Sequence, residues 1–493
     1  MVTHRSLWSI RSGFVSDLSH PAVADATRYF DSWVAFRQQY DHVPGIQAAV
    51  LHEDKLLLSS AHGQADVEHG VALTPHHLFR IASHSKTFTA TAVLQLAERD
   101  QLRLDDQAVH WLPFLRETPL AAVTVRELLG HGGGVVRDSH NGDFWQLAHA
   151  FPDEDRLRAI LLDDGAGVLP ANERFKYSNI GYSMLGLIVA AASGQPYHDF
   201  VHEHIVEALS LENTGPEYDP ARAGDYATGY TALSYADRRI PIDHVDTAAM
   251  AAATGFYSTA EDLVNYVAAH FHGDTRLVSD ASKRLMQRAE WKVEGRGGAE
   301  YGLGFGRSMI GGRLVFGHGG GYPGHITRTS FDPSGRLAVS VLTNAIDGPA
   351  QMLADGLIRL VNLAERVSPQ LERSPADLSR FTGRFASMWR VFDVVDLAGR
   401  LFLLDPTERD PTEEPITLAV IDDHTLRISG GTGYAPVGET IRYHFGLDGV
   451  DSVQAFAMTA YPIDRVARAV HTRDRVSPGT PLVTGGAGDA PSR

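Results

Sequence analysis

Three features of this 493-residue chain predict an α/β chain of the α+β type: an antiparallel sheet flanked by helices, then a small all-β barrel. Strand-like runs cluster at both ends of residues 22–366, helical periodicity fills the stretch between them, and beyond residue 377 only short strand-like runs recur. The length exceeds that of one ordinary domain, which supports the division. We therefore expect an extension (1–21), a first domain (22–366), a proline-bearing linker (367–377), a barrel (378–475) and a Gly-, Pro- and Ser-rich unstructured tail (476–493).

Along the chain, residues 22–39 place Ala26, Phe30, Val34 and Phe36 near one face of an amphipathic helix. Residues 46–51 and 55–61 read as a hairpin turning at Glu53-Asp54. Leu78 to Ala82 reads as a buried strand end. The helical run that follows it, 87–97, has Ala90, Val93, Leu94 and Ala97 on one side. A mostly helical middle is expected over 102–285. Strands return at 304–310, 313–317, 325–331 and 337–343, with a turn at Asp332-Pro333-Ser334-Gly335, and a helix over 351–364 closes the domain. The barrel strands are expected at 381–385, 391–397, 400–404, 417–420, 425–428 and 440–445, with the acidic stretch 405–414 as a solvated loop.

Composition excludes several classes. A net charge of −16 argues against nucleic-acid binding and against docking on anionic membrane. There is no cysteine, so disulfides, thiolate metal sites and cysteine nucleophiles are excluded. Arg11 and Asp17 interrupt the apolar core a secretory signal needs, which makes a cytoplasmic protein the expectation. His202-Glu203-His204 lacks the H-E-x-x-H spacing of a zinc site, and neither a metal nor another cofactor is expected.

The chemistry centres on Ser83-His84-Ser85-Lys86. At a helix start Ser83 meets free N–H groups and a positive dipole end, and Lys86, one turn on, projects from the same face. Dipole and burial together disfavour an ammonium and push Lys86 toward a neutral base. By itself S-x-x-K is also what a capping serine beside a solvated lysine looks like. Tyr177-Ser178-Asn179 and His318-Gly319-Gly320-Gly321 follow in order. Histidine replaces the lysine of K-T-G, so a fixed cation gives way to a group neutral for much of the time at pH 7.

With these motifs, residues 22–366 resemble the penicillin-recognising serine hydrolases, in the group with Y-x-N and H-x-G motifs that holds class C β-lactamases, D-alanyl-D-alanine peptidases, D-aminopeptidases and esterases. Thr124 to Gly134 and Leu209 to Thr214 are similar to two further blocks of that group. The resemblance implies a β-lactamase/transpeptidase-like fold and a lipocalin-like C-terminal domain. It implies a catalytic set of Ser83, Lys86, Tyr177, Asn179 and His318, with Lys86 and Tyr177 both touching the nucleophile and Tyr177 also serving the leaving group. The N–H groups of Ser83 and Gly321 would form the oxyanion hole. Gly319, Gly320 and Tyr322, with His325, are expected at the substrate, as are Asp138 and Asn141 beside Phe144-Trp145. His131 is expected to be a structural corner.

The function expected is acyl-enzyme hydrolysis of a small amide, a peptide (including D-amino-acid peptides) or an ester. An acyltransferase or peptide cyclase is the alternative, then a β-lactamase, then a non-catalytic module that binds acyl groups. The partner is a small-molecule, peptide or ester substrate, and the sequence leaves the oligomeric state open.

Overall fold

The computed structural model describes residues 21–295, 297–367, 377–433 and 435–466. The N-terminal extension, most of the linker, the tail and the last residues assigned to the barrel lie outside them.

Helix α1 (Pro21–Tyr40) buries Ala26, Phe30, Trp33 and Val34. Phe36 is a correction: two residues from Val34 it lies some 200° away around the helix, and it stacks on Tyr40 at 5.3 Å instead. Strands β1 (Gly45–His52) and β2 (Lys55–Asp66) form the hairpin. Its corner residues Glu53 (φ 48) and Asp54 (φ 67) are both left-handed, the geometry that matches the twist of a two-residue turn. After the short β3 (Val71–Ala72) comes helix α2 (Ser85–Glu98).

The middle is helical and broken by loops, as predicted: helices α3 (Asn179–Ser193), α4 (Ala251–Thr254) and α5 (Asp280–Gln287) stand among further short helices such as Glu154–Leu162 and Ala260–Ala268. The remaining sheet strands are β4 (Trp291–Lys292), β5 (Glu300–Tyr301), β6 (Gly306–Ile310), β7 (Arg313–Tyr322), β8 (His325–Asp332) and β9 (Leu337–Thr343), followed by α6 (Ala350–Val367). They form one antiparallel nine-stranded sheet in the order β3-β2-β1-β9-β8-β7-β6-β5-β4. Strands β1 and β9 are buried at every position, so both faces at the centre of the sheet are covered.

Strand β7 runs five residues past its predicted end, to Tyr322, and carries the three glycines inside it. It pairs with β8 over 316–322 but with β6 only over 313–317, which leaves its other edge unpaired from His318 onward.

Contacts divide the described residues into two compact units, one within residues 21–367 with 397–399 and 406–413, the other within 377–396, 400–405 and 414–466. The acidic stretch is therefore a correction. Within the first unit, Pro406 O accepts from Trp33 Nε1 at 3.0 Å, Thr407 O from Arg37 Nη1 at 2.7 Å, and Asp410 pairs with Arg359. The second unit is a closed eight-stranded barrel, β10 to β17 (Gly383–Ala386, Val391–Leu397, Arg400–Leu404, Ile416–Asp422, Thr425–Gly430, Thr440–Gly446, Gly449–Ala455 and Met458–Pro462). Phe385, Phe392, Ile428, Tyr443 and Val453 are among the residues that fill it. The last two strands were absent from the sequence reading, because Gly449 and the polar run after it carry a weak strand signal.

Candidate active site

The nucleophile turn is built to hold one serine outward. Phe79–Arg80 pairs with Tyr257–Ser258, and Ile81 N donates to Phe256 O at 3.0 Å. A single 3-10 turn, Ala82–His84, then runs into α2. Ala82 is left-handed (φ 45), a conformation that costs a non-glycine residue about 1–2 kcal/mol. Ser85 offsets this: its Oγ donates to Ala82 O at 2.6 Å and accepts from Phe256 N at 3.1 Å. His84 braces the turn from below, with Nδ1 3.0 Å from Ile81 O and Nε2 3.0 Å from Thr329 Oγ1. Burial drives its pKa down to about 3, so it is a neutral strut. Of this turn only Ser83 is partly exposed.

Lys86 is fully buried. Its Nζ lies 2.7 Å from Asn179 Oδ1, 2.8 Å from Ala253 O on α4 and 3.2 Å from Ser83 Oγ. Burial holds its pKa well below that of an ordinary lysine, opposed by the Asp138 carboxylate and reinforced by Arg137. Tyr177 donates its hydroxyl to Ser83 Oγ at 2.9 Å. Burial raises its pKa to about 12, so the resting phenol is protonated.

Asn179 is the first residue of α3 and not its cap. Ser178 caps the helix by accepting from Gly181 N at 2.7 Å, which frees the Asn179 amide to face Lys86. Behind it, Asn179 Nδ2 donates to Asp138 Oδ1 at 2.6 Å, and Trp145 Nε1 reaches the same oxygen at 2.9 Å. Asp138, expected at the substrate, is thus held against Asn179 and orients its amide. Asn141 is exposed, and its Oδ1 accepts from Asp143 N at 2.8 Å to start a 3-10 turn.

His131 is the structural corner expected. It is left-handed (φ 62) and buried, accepts from Ser178 N through Nδ1 at 3.2 Å, and stacks on Tyr177 at 4.3 Å. His318 lies in the wall beside the Ser83–Lys86–Tyr177 cluster. Its Nδ1 is 2.6 Å from Gly319 O and its Nε2 is 3.2 Å from the Tyr301 hydroxyl. Burial, with Lys86 nearby, keeps its pKa well below the usual histidine value. Tyr301 was missed by sequence reading, since nothing local in sequence pairs a residue on β5 with one on β7.

The glycines divide by strand alternation. A Cβ on Gly320 would fall 2.1 Å from Ile81 O, so this glycine lets β7 press against the nucleophile turn. On the opposite parity a Cβ on Gly321 meets only Ile326 Cδ1 at 3.6 Å, and one on Gly319 comes no nearer than 3.4 Å to Thr327 O. Tyr322 and His325 are corrections too. Tyr322 is buried, with its hydroxyl between Val245 N and O at 3.0 and 3.1 Å, and His325 is buried against Phe79 and His244. His202 pairs with Glu207, and among the described residues no group of three potential ligands could hold a metal ion.

A nucleophile turn, a buried lysine and a tyrosine converging on one hydroxyl, under a glycine strand, agree with the comparisons. Residues 30–363 match the family model described as Beta-lactamase. The chain belongs to that family. A penicillin-binding protein of Bacillus subtilis (strain 168) is 29% identical over 289 residues, covering 55% of this chain and 62% of that protein. The chain spans less than two thirds of the length of the curated relatives it matches. Among solved structures, the octameric penicillin-binding protein homologue from Pyrococcus abyssi aligns with a TM-score of 0.63 at 21% identity, over 88% of this chain and 99% of that one. The D-amino acid amidase from Ochrobactrum anthropi SV3, complexed with D-phenylalanine, aligns with a TM-score of 0.59 at 23% identity, over 69% and 99%. Among the described residues, no helix is long and apolar enough to cross a membrane.

Proposed function

We propose that the protein hydrolyses a small amide, peptide or ester, D-amino-acid derivatives included, through an acyl-enzyme on Ser83. The observation that carries this reading is the partner set of Lys86. A neutral amine has two N–H donors and one lone pair, and here two carbonyl oxygens, Asn179 Oδ1 and Ala253 O, take the donors. The lone pair is left for the Ser83 hydroxyl, whose oxygen meanwhile accepts from Tyr177.

In this scheme Ser83 Oγ attacks the carbonyl carbon and its proton passes to Lys86 Nζ. The oxyanion rests on the N–H groups of Ser83 and Gly321, each worth on the order of 3 kcal/mol. Lys86 returns the proton through the Tyr177 hydroxyl to the leaving atom, whose bond to the acyl carbon breaks. Water then enters by the same route in reverse. The unpaired edge of β7 beyond His318 leaves an extended substrate backbone room to add alongside it. A histidine held neutral in that wall offers a substrate no fixed cation there.

The test is turnover of a panel of D- and L-amino-acid amides, p-nitrophenyl esters and a chromogenic cephalosporin. Amides or esters should lead. A cephalosporin turned over as fast as the best of them would put a β-lactamase reading first.

A further inference from the structure

In a chain whose net charge is −16, the Arg137 guanidinium stands at the Tyr177 ring. The Arg137 side chain is 62% exposed, and its guanidinium carbon lies 5.3 Å from the centre of that ring. Only Nε is engaged, at 3.1 Å from Asp138 Oδ2, and among the described residues neither Nη group has a partner. Asp138 engages Arg137 through one oxygen only, its other oxygen accepting from Asn179 and Trp145. Lys176, next to Tyr177 in sequence, adds a second cation felt at the same place. The Arg137 charge reaches the reacting groups: it acts electrostatically on Lys86, Tyr177 and His131 alike. The backbone fixes the position, since Arg137 O accepts from the N–H groups of Asn179 and Ile180 at 2.8 and 3.2 Å.

From this we infer that Arg137 binds a carboxylate carried by the leaving half of the substrate. The inference rests on the proposed roles of Ser83 as nucleophile and Tyr177 as proton donor to the leaving atom, because a group stacked on the Tyr177 ring lies on that side of the scissile bond. A guanidinium with two free Nη groups in one plane matches a carboxylate in bidentate fashion, where an ammonium offers only a point charge. The cation lost where K-T-G became His318-Gly319-Gly320 is thereby supplied from another loop, by a residue outside the three motifs. Substrates ending in a free carboxylate just beyond the cleaved bond, such as short peptides, are the class selected.

The test compares kcat/KM for the 4-carboxyphenyl and 4-carbamoylphenyl esters of one acyl group. Wild type should favour the carboxylate, and the preference should shrink as salt is raised. Arg137→Gln should cut the ratio of the two values by roughly five- to tenfold, the scale of a partly exposed ion pair, and Arg137→Lys should keep part of it. A ratio unchanged in Arg137→Gln, or equal losses on both esters, would overturn the inference. Turnover of either ester surviving in Ser83→Ala would instead overturn the reading beneath it.

Discussion

Two lysines of this chain, Lys86 and Lys283, are both fully shielded from solvent, and their surroundings differ in one partner. Lys283, on α5, reaches the carbonyl oxygens of Phe271 and Asp274 and the carboxylate of Asp280 at 3.5 Å. Lys86, on α2, also reaches two carbonyl oxygens, but its third neighbour is the Ser83 hydroxyl. Burial lowers both pKa values. At Lys283 the carboxylates of Asp280 and Asp274 oppose it directly, whereas at Lys86 the nearest carboxylate, Asp138, stands behind Asn179. A buried amine beside a carboxylate is a structural cation. The same amine beside a hydroxyl is a base.

The largest effect that tests this contrast is catalytic. Ser83→Ala should abolish turnover and labelling by fluorophosphonate or β-lactam probes, and Lys86→Met or Tyr177→Phe should each cost several orders of magnitude. The double variant should lose little more than either single one, since groups acting as one proton-transfer unit are not additive. Single-turnover acylation rates read this, and cleanly additive losses would mean that Lys86 and Tyr177 act separately.

The next test exchanges activity for stability. Lys283→Met strands two carbonyls and a carboxylate and should cost about 2–4 kcal/mol in denaturant unfolding, with kcat/KM retained. Lys86→Met should cost distinctly less stability. Its folded pKa is lowered further than that of Lys283, so below the unfolded value near 10.5 the unfolded chain holds a proton that the folded chain gives up, and removing the amine removes that larger penalty. Equal destabilisation by the two variants would erase the distinction drawn between them.

Much of this was legible in sequence. S-x-x-K ahead of an apolar-faced run marked the nucleophile helix once Tyr177-Ser178-Asn179 and His318-Gly319-Gly320 followed it in order, and Tyr177 and Asn179 came with their motif. What escaped lies in tertiary contacts without a local signature: Ala253 contributes a backbone carbonyl, Tyr301 meets His318 across the sheet edge, and Asp138 reaches Asn179 from another loop. Tyr322 is a different failure. Strand alternation puts it on the same face as His318 and Gly320, both buried, so the parity of β7 already argued against substrate contact.

Acid should expose a weakness spread across the first unit. His84, His244 and His270 are buried with pKa values lowered to about 3, 4 and 4, and His131, His318 and His325 are lowered as well. All are neutral when folded, so their contribution is fully present above the unfolded value near 6.5. It is lost as pH falls toward the folded values, because the unfolded chain takes up protons first. Each such group adds a slope of about 1.4 kcal/mol per pH unit. Stability measured by denaturant should therefore drop steeply between pH 6 and 4, and a flat profile there would show that these rings are hydrated.

The smallest effect concerns the carboxylate behind Lys86. Asp138→Asn keeps an oxygen that can accept from Asn179 Nδ2 and Trp145 Nε1 but removes the charge. That charge raises the Lys86 pKa against the pull of burial, so its removal should lower the pKa further. The base then stays deprotonated to lower pH, and the acid limb of the kcat/KM profile should move downward by about a unit or less. At neutral pH the rate should change only a few-fold, because the weaker base is offset by its larger deprotonated fraction. Asp138→Ala, which also drops the hydrogen bonds, should lose rate through misplacement of Asn179, and the two variants together separate charge from position. An acid limb that moves upward in Asp138→Asn would mean that the proton acceptor is not Lys86.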